Sequence, residues 1–362
     1  MMKSSRIPEK TVKRGWKACA RCLLGAGFLL CCGLLLVGYV GGDSWWATLR
    51  GGAWWSQRLG GGKAKLAPLG PASSVPWRRP GPFEVRYPHR YRWILDEPEK
   101  CAGHGPFLVL MVPVAPWDRG ARDAIRASWG NETLVPGVVI RRLFLLGLPW
   151  AGLEAELQGE IRRESQEHGD LLQGDFLDSY RNLTIKTMLM MEWLVQRCPT
   201  AAYAAKVDTD MFLNLELLIR LLGPDPAPRK RSYITGALII GGMVRRDKGS
   251  KWYMPPEVYP KPTYPLYISG NAYVFSMDLP RRILEASRQV RPVHLEDVYL
   301  GMCLEHLGLR PSPPPQPGLF SLRPLPYSRC LFSRIVSVTG LRPGQLLTYW
   351  ADFHQAGQPC PP

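Results

Sequence analysis

The chain has 362 residues, a formal net charge of +16 and nine cysteines. No internal repeat is evident, and Cys101, Cys198, Cys303, Cys330 and Cys360 are spread too widely for a zinc cluster. Beyond the N-terminal segments about 260 residues remain, enough for one large domain or a two-lobed one with a substantial core.

At the N-terminus, Lys3, Arg6, Lys10, Lys13, Arg14, Lys17 and Arg21 face a single acid, Glu9, and an uncharged stretch follows from Cys22 to Gly42. Some 20 residues rising ~1.5 Å each in a helix cross a ~30 Å hydrocarbon core. A cleaved secretory signal has the same basic start and apolar middle. Tyr39-Val40-Gly41-Gly42 is a poor cleavage site beside Trp45 and Trp46, however, so residues 22–42 are expected to be an uncleaved transmembrane signal anchor. The positive-inside rule then makes residues 1–21 a cytosolic tail and places everything after the span in the lumen, where nucleic acid is not an expected partner. Part of the net charge would thus serve contact with the membrane surface. Residues 43–99, rich in Gly, Pro, Trp and Arg, resemble a stem more than a core.

The domain expected over 100–362 alternates strand and helix. Phe107 to Val112 reads as a buried strand, Arg119 to Trp129 as a helix, Val138 to Leu146 as a strand and Leu153 to His168 as a charged helix. Asp170 to Gln173 (strand), Leu183 to Arg197 (helix) and Tyr203 to Val207 (strand) continue an α/β pattern. The strand at Tyr203 runs into Asp208-Thr209-Asp210. Residues i and i+2 of extended chain point to one side, so two carboxylates sit together and repel unless a cation neutralises them. Hard divalent ions favour such oxygen donors, and ligands of open α/β sheets bind beyond the carboxyl ends of the strands. The competing interpretation is a solvated turn or a cap for a helix over Leu213 to Leu222. Further on come a strand (Ser232 to Ile240), a Tyr/Pro-rich loop (Lys251 to Pro265), the small-residue segment Ser269-Gly270-Asn271-Ala272, a helix (Pro280 to Gln289) and another continuing to His306. Glu296 and Asp297 suit simple capping at the start of that last helix.

Asn131-Glu132-Thr133 and Asn182-Leu183-Thr184 are acceptor sequons for N-glycosylation. Five cysteines in an oxidising compartment predict disulfides, with at least one thiol left free or paired with another chain. A basic domain suits an anionic substrate such as a nucleotide sugar, or an acidic glycan surface.

Several segments match in order: Ile125-Arg126-Ala127-Ser128-Trp129-Gly130, Phe144-Leu145-Leu146-Gly147, Glu164 to Asp170, Asp175 to Thr184, Lys206 to Asn214 and Glu296-Asp297-Val298-Tyr299. Together they resemble the β-1,3-galactosyltransferases of glycosyltransferase family 31, over about residues 101 to 362. The resemblance implies a GT-A (Rossmann-like) fold, UDP-galactose as donor, Mn²⁺, inversion at the anomeric carbon, a glycan acceptor on glycoprotein or glycolipid, and a type II Golgi membrane topology; a homo-oligomer is compatible with it. By position, Asp208 and Asp210 match the metal motif, with Asp208 also near the nucleotide, and Asp297 matches the catalytic base. Arg122, Arg126 and Lys206 match basic positions near the donor, although a salt bridge within the fold accounts for an arginine there almost as well. Trp129 reads as core. Two departures stand out. Ile268-Ser269-Gly270-Asn271-Ala272-Tyr273 lacks a cysteine that the family commonly has there, and Thr339 stands where relatives have a metal-serving histidine. These leave two alternatives: a β-1,3-N-acetylglucosaminyltransferase, and an inactive Golgi member that binds glycan or a partner enzyme.

Overall fold

The computed structural model describes residues 83–103, 105–150, 154–223, 230–355 and Cys360. The expected tail, anchor and first part of the stem lie outside the described residues, and among these no helix is long and apolar enough to cross a membrane.

A seven-stranded sheet in the order β1-β4-β3-β2-β5-β8-β7 organises the fold. Its centre is four parallel strands: β2 (Leu108–Pro113), β3 (Ile140–Leu148), β4 (Leu171–Leu177) and β5 (Tyr203–Val207). Antiparallel strands complete both edges, β1 (Trp93–Leu95) against β4, and β8 (Tyr267–Ser276) with β7 (Ile234–Ile239) beyond β5. A separate two-stranded sheet pairs β6 (Met211–Leu213) with β9 (Ser337–Thr339).

The parallel strands are largely apolar and buried because both faces are covered, β2 without a polar residue. In β2, Leu108, Leu110 and Val112 pack on one side with Ala124, Ile125 and Trp129, whereas Val109 and Met111 pack on the other with Met188, Trp193 and Leu194. The first face is covered by α1 (Arg119–Arg126) and residues after it, the second by α3 (Leu183–Arg197) together with α5 (Leu279–Ser287) and α6 (Glu296–His306). Among the described residues, helices α2 (Glu154–His168), α4 (Leu215–Leu222), α7 (Arg329–Phe332) and α8 (Pro343–Phe353) complete the set. Caps set the boundaries: Asp118 accepts from the Ala121 amide at 3.0 Å, and Asn214 from the Leu217 amide at 3.0 Å.

Three differences from expectation have physical causes. Residues 83–99, assigned to the stem, fold into the domain: Val85 is buried with Phe176, Ile185 and Leu189, and β1 hydrogen-bonds to β4. The strand is too short to give a period. Leu213 belongs to a strand and not to a helix, because β9 arrives from more than a hundred residues away to pair with it. The helix at Arg119 ends at Arg126, since the amides of Ser128 and Gly130 both turn back to the Ile125 carbonyl. Trp129 is core, fully buried, its indole donating to the Met211 carbonyl at 2.8 Å. Among the described residues Cys101 pairs with Cys198 and Cys330 with Cys360, which leaves Cys303 as the free thiol there, buried in α6.

Under α1 lies a buried ionic network. Arg122 pairs with Glu164 at 2.7 and 2.6 Å, Arg126 with Asp170 at 2.9 and 2.7 Å, and Arg142 with Asp170 at 2.5 Å. Burial would raise the Asp170 carboxyl, but hydrogen bonds and charge from Arg126 and Arg142 outweigh it and hold the group below its ordinary range. Removing one member leaves uncompensated buried charge, which costs about 3–5 kcal/mol. Asp170→Ala is therefore expected to lower the unfolding free energy of the full-length chain by roughly that amount. A thermal unfolding midpoint equal to wild type would show that Asp170 does not hold the arginines.

Candidate active site

Buried β5 runs between β2 and β8, and Lys206, one residue from its end, is buried with the strand. The Lys206 ammonium donates to Asp208 Oδ1 at 2.7 Å and to the Gly270 carbonyl, and lies 3.0 Å from Glu296 Oε1. Burial alone would favour the neutral amine; the two carboxylates reverse this and raise its pKa well above the ordinary lysine value. Asp208 is pushed up to about 6 by burial, against the pull of Lys206. Glu296 is raised by burial in the same way and also accepts from the hydroxyls of Thr187 and Tyr273, each at 3.3 Å.

Beyond Asp208 the chain turns at Asp210, an exposed residue, and enters β6. Because Met211 pairs with Thr339 across the small sheet, the Thr339 hydroxyl donates to Asp210 Oδ2 at 3.2 Å. The Leu341 amide holds the Asp210 carbonyl at 2.9 Å. On the other side stands Asp297, in the first turn of α6. Its Oδ2 accepts from the Gly270 amide at 3.1 Å and its Oδ1 from the Val298 amide at 2.8 Å. Burial raises the Asp297 carboxyl above its ordinary range, opposed by those two amides.

Gly270 thus bridges the cluster, its carbonyl on Lys206 and its amide on Asp297. A Cβ at Gly270 would come within 2.5 Å of Glu296 Oε1, and one at Gly301 within 2.5 Å of the Tyr267 Cβ. Close approach at both glycines lets α6 lie against β8 and present Asp297 to the end of β5.

The structure brings Lys206, Asp208, Asp210 and Asp297 into one neighbourhood. It does not bring Arg122 or Arg126 there, since their donors are directed at Glu164, Asp170, Asp123 and the carbonyls of Ala115 and Pro116. Glu296, Tyr273 and Thr187 join the cluster without a specific sequence signal; for Glu296 the pairing with Lys206 displaces the capping role. A buried Lys186 adds a frame, donating to the Val114 carbonyl at 2.9 Å and to Asp178 at 2.7 Å, while Asp178 accepts the Gly147 amide at 2.7 Å. That lysine ties together the carboxyl ends of β2, β3 and β4. Asn131 is exposed, whereas the Asn182 side-chain nitrogen donates to the Leu177 carbonyl at 2.8 Å and its sequon partner Thr184 is buried. Cavities of about 340 and 760 Å³ open beside Phe83 and Glu84, and neither is lined by the carboxylates of the cluster.

Among the described residues no three His, Cys, Asp or Glu side chains converge as a metal cluster. What the turn offers is two aspartates and a threonine hydroxyl, an all-oxygen donor set. Such a set fits a hard divalent cation that draws its remaining ligands from a substrate or water.

A buried sheet whose central strand ends in paired aspartates, with a third carboxylate held opposite, defines an α/β protein equipped for a charged ligand at the carboxyl end of its strands. Residues 120–315 match the family model described as galactosyltransferase. The chain belongs to that family. It is 45% identical over 268 residues to beta-1,3-galactosyltransferase 2 of Mus musculus, covering 74% of this chain and 63% of that one. Identity to beta-1,3-galactosyltransferase 1 of Mus musculus is 40% over 267 residues, covering 74% and 79%. The alignment therefore spans 63% of the length of the first of these relatives. A glycosyltransferase involved in the glycosylation of the major capsid of PBCV-1 superposes with a TM-score of 0.35 at 8% identity, over 68% of this chain and 100% of that one, too slight a likeness to carry an argument.

The bridge at Gly270 has a direct consequence. Gly270→Ala forces Glu296 away from Lys206, and overpacking of this kind costs about 1–3 kcal/mol. The variant is expected to unfold at a lower temperature than wild type. An unchanged midpoint would mean that α6 has room to shift and that the glycine is dispensable.

Proposed function

We propose that the chain is an inverting β-1,3-galactosyltransferase of GT-A type. It moves galactose from UDP-galactose to the 3-hydroxyl of a terminal N-acetylhexosamine, N-acetylglucosamine foremost, on glycoprotein or glycolipid. It works as a single-pass type II protein of the Golgi membrane, behind the anchor expected at residues 22–42. The observation that carries this is the Gly270 bridge, which sets a paired-aspartate turn and a separate carboxylate, Asp297, on opposite sides of one backbone residue.

Inversion requires one base on the far side of the sugar from the leaving group, and Asp297 is the group suited to it. Its two amide hydrogen bonds hold the carboxylate in a set orientation, and the oxygen facing the acceptor takes the proton of the attacking hydroxyl. Lys206 orients Asp208 and offsets the repulsion among the carboxylates. Asp208 and Asp210 would hold Mn²⁺, whose charge, when it is bound, stabilises the departing diphosphate. Asp297→Asn should lower kcat on the order of 10²–10⁴-fold while UDP still binds in the presence of Mn²⁺. Full activity in that variant would sink the assignment of the base. The base must be unprotonated to act. With its carboxyl raised by burial, transfer should fall off on the acid side at a pH above the ~3.9 of a free aspartate. A rate flat down to pH 4 contradicts this.

Thr339 favours a second reading, a catalytically inactive member that binds glycan, since a hydroxyl replaces imidazole beside Asp210. The two separate on UDP binding: metal-dependent binding with turnover supports the enzyme, and binding indifferent to Mn²⁺ the inactive member. If Thr339 limits the metal, Thr339→His should lower the Mn²⁺ concentration for half-maximal UDP binding by roughly tenfold or more. No change in that concentration would show that position 339 does not serve the metal.

A further inference from the structure

Two exposed aromatic side chains, Tyr180 and Trp252, meet around Lys251, and the cluster described above makes no use of them. Tyr180 opens a one-turn 3-10 helix (Tyr180–Asn182) that runs straight into α3. The start of α3 is fastened to the Asp297 segment, Thr184 donating to the Val293 carbonyl at 2.7 Å and Thr187 to Glu296 at 3.3 Å. From the opposite side, the loop between β7 and β8 folds back on itself, with Met243 bridged to Thr263 and Arg245 to Tyr253. This carries Lys251 and Trp252 to Tyr180. The Lys251 ammonium lies 5.7 Å from the Tyr180 ring centre and 4.9 Å from that of Trp252, within cation–π range of both. The rings are nevertheless 43% and 47% exposed, an arrangement that keeps apolar surface in water at a cost. Asp297 is close enough to oppose ionisation of the Tyr180 hydroxyl, which burial first and Asp297 second push up to about 12.

We propose that Tyr180 and Trp252, held together by Lys251, are the acceptor platform: a terminal N-acetylhexosamine lies with the C–H face of its ring on the aromatic pair and its 3-hydroxyl toward Asp297. This rests on the transferase reading for the identity of the sugar. Aromatic faces are electron-rich and meet the weakly positive C–H edge of a pyranose, while the hydroxyls at its rim stay wet. Pairing the rings in advance lowers the side-chain entropy lost on binding. Tyr180 and Trp252 are then specificity-determining residues, and Lys251 is a positioning residue acting through them.

Binding and turnover test this separately. Methyl β-N-acetylglucosaminide, with UDP and Mn²⁺ present, should give saturation-transfer NMR signals from its ring protons with the full-length wild-type chain. The signals should vanish with Trp252→Ala and weaken with Trp252→Phe, which keeps a ring and guards against misfolding, and with Lys251→Met. UDP affinity should be the same in all four proteins. In the transfer assay the acceptor KM should rise roughly tenfold or more in Trp252→Ala with the donor KM unchanged. The platform is overturned if wild type gives no such signals, if Trp252→Ala gives them undiminished, or if donor and acceptor KM move together. Wild type that binds the sugar through Trp252 yet transfers no galactose would defeat the transferase reading and leave the platform standing.

Discussion

Everything at the carboxyl end of β5 is arranged around one buried ammonium, that of Lys206. Without it, Asp208 and Glu296 would face each other across a space that neither could occupy as an anion, and desolvation would protonate one or both. With it, the two carboxylates and the Gly270 carbonyl share a single cation, and three elements distant in sequence are drawn to one point: the end of β5, the middle of β8 and the start of α6. Replacing such a lysine would do more than delete a contact. It would leave Glu296, 5% exposed, as a buried charge beside the two amide-held oxygens of Asp297.

Charge balance in this neighbourhood is unequal by design of the fold. One cation, Lys206, paired with Asp208 and Glu296, stands among four carboxylates, those of Asp208, Asp210, Glu296 and Asp297. The deeper members are held by directed partners, Glu296 by Lys206 and two hydroxyls, Asp297 by two amides. Asp210 is exposed and accepts from the hydroxyl of Thr339. An excess of oxygen donors at an accessible turn is the condition that attracts a hard cation, and it arises here because β6 and β9 pair just where the chain leaves β5. The small sheet therefore decides which way Asp210 points.

Much of the scaffold was legible because the central strands are buried on both faces, so β2, β5 and α3 announce themselves as largely apolar segments. The place of Asp208 and Asp210 was legible for a related reason, since the apolar run of β5 stops there and the polar residues that follow leave the carboxyl end of the strand. Elements of three residues carry no period, and β1, β6 and β9 exist only through partners far away in the chain. Arg122 and Arg126 show the limit of position matching. A regularly placed arginine on a helix is equally consistent with a nucleotide and with a buried acid, and only the packing of α2 and β4 against α1 reveals Glu164 and Asp170 as the partners. Glu296 failed in the opposite direction: an acid at a helix start has an ordinary explanation, and nothing local hints that a lysine ninety residues earlier will claim it.

Lys206 and Lys186 make a contrast that bears on how the strand ends are held. Both are buried lysines near the strand ends. Lys206 has two carboxylates and is held firmly charged, whereas Lys186 has one, Asp178, and burial outweighs it so that its pKa falls. The first therefore acts as an electrostatic anchor that strengthens as more negative charge gathers nearby. The second contributes mainly through directed hydrogen bonds, joining the ends of three parallel strands through the Val114 carbonyl, Asp178 and the Gly147 amide. An anionic ligand entering above the strands would raise the proton affinity of both.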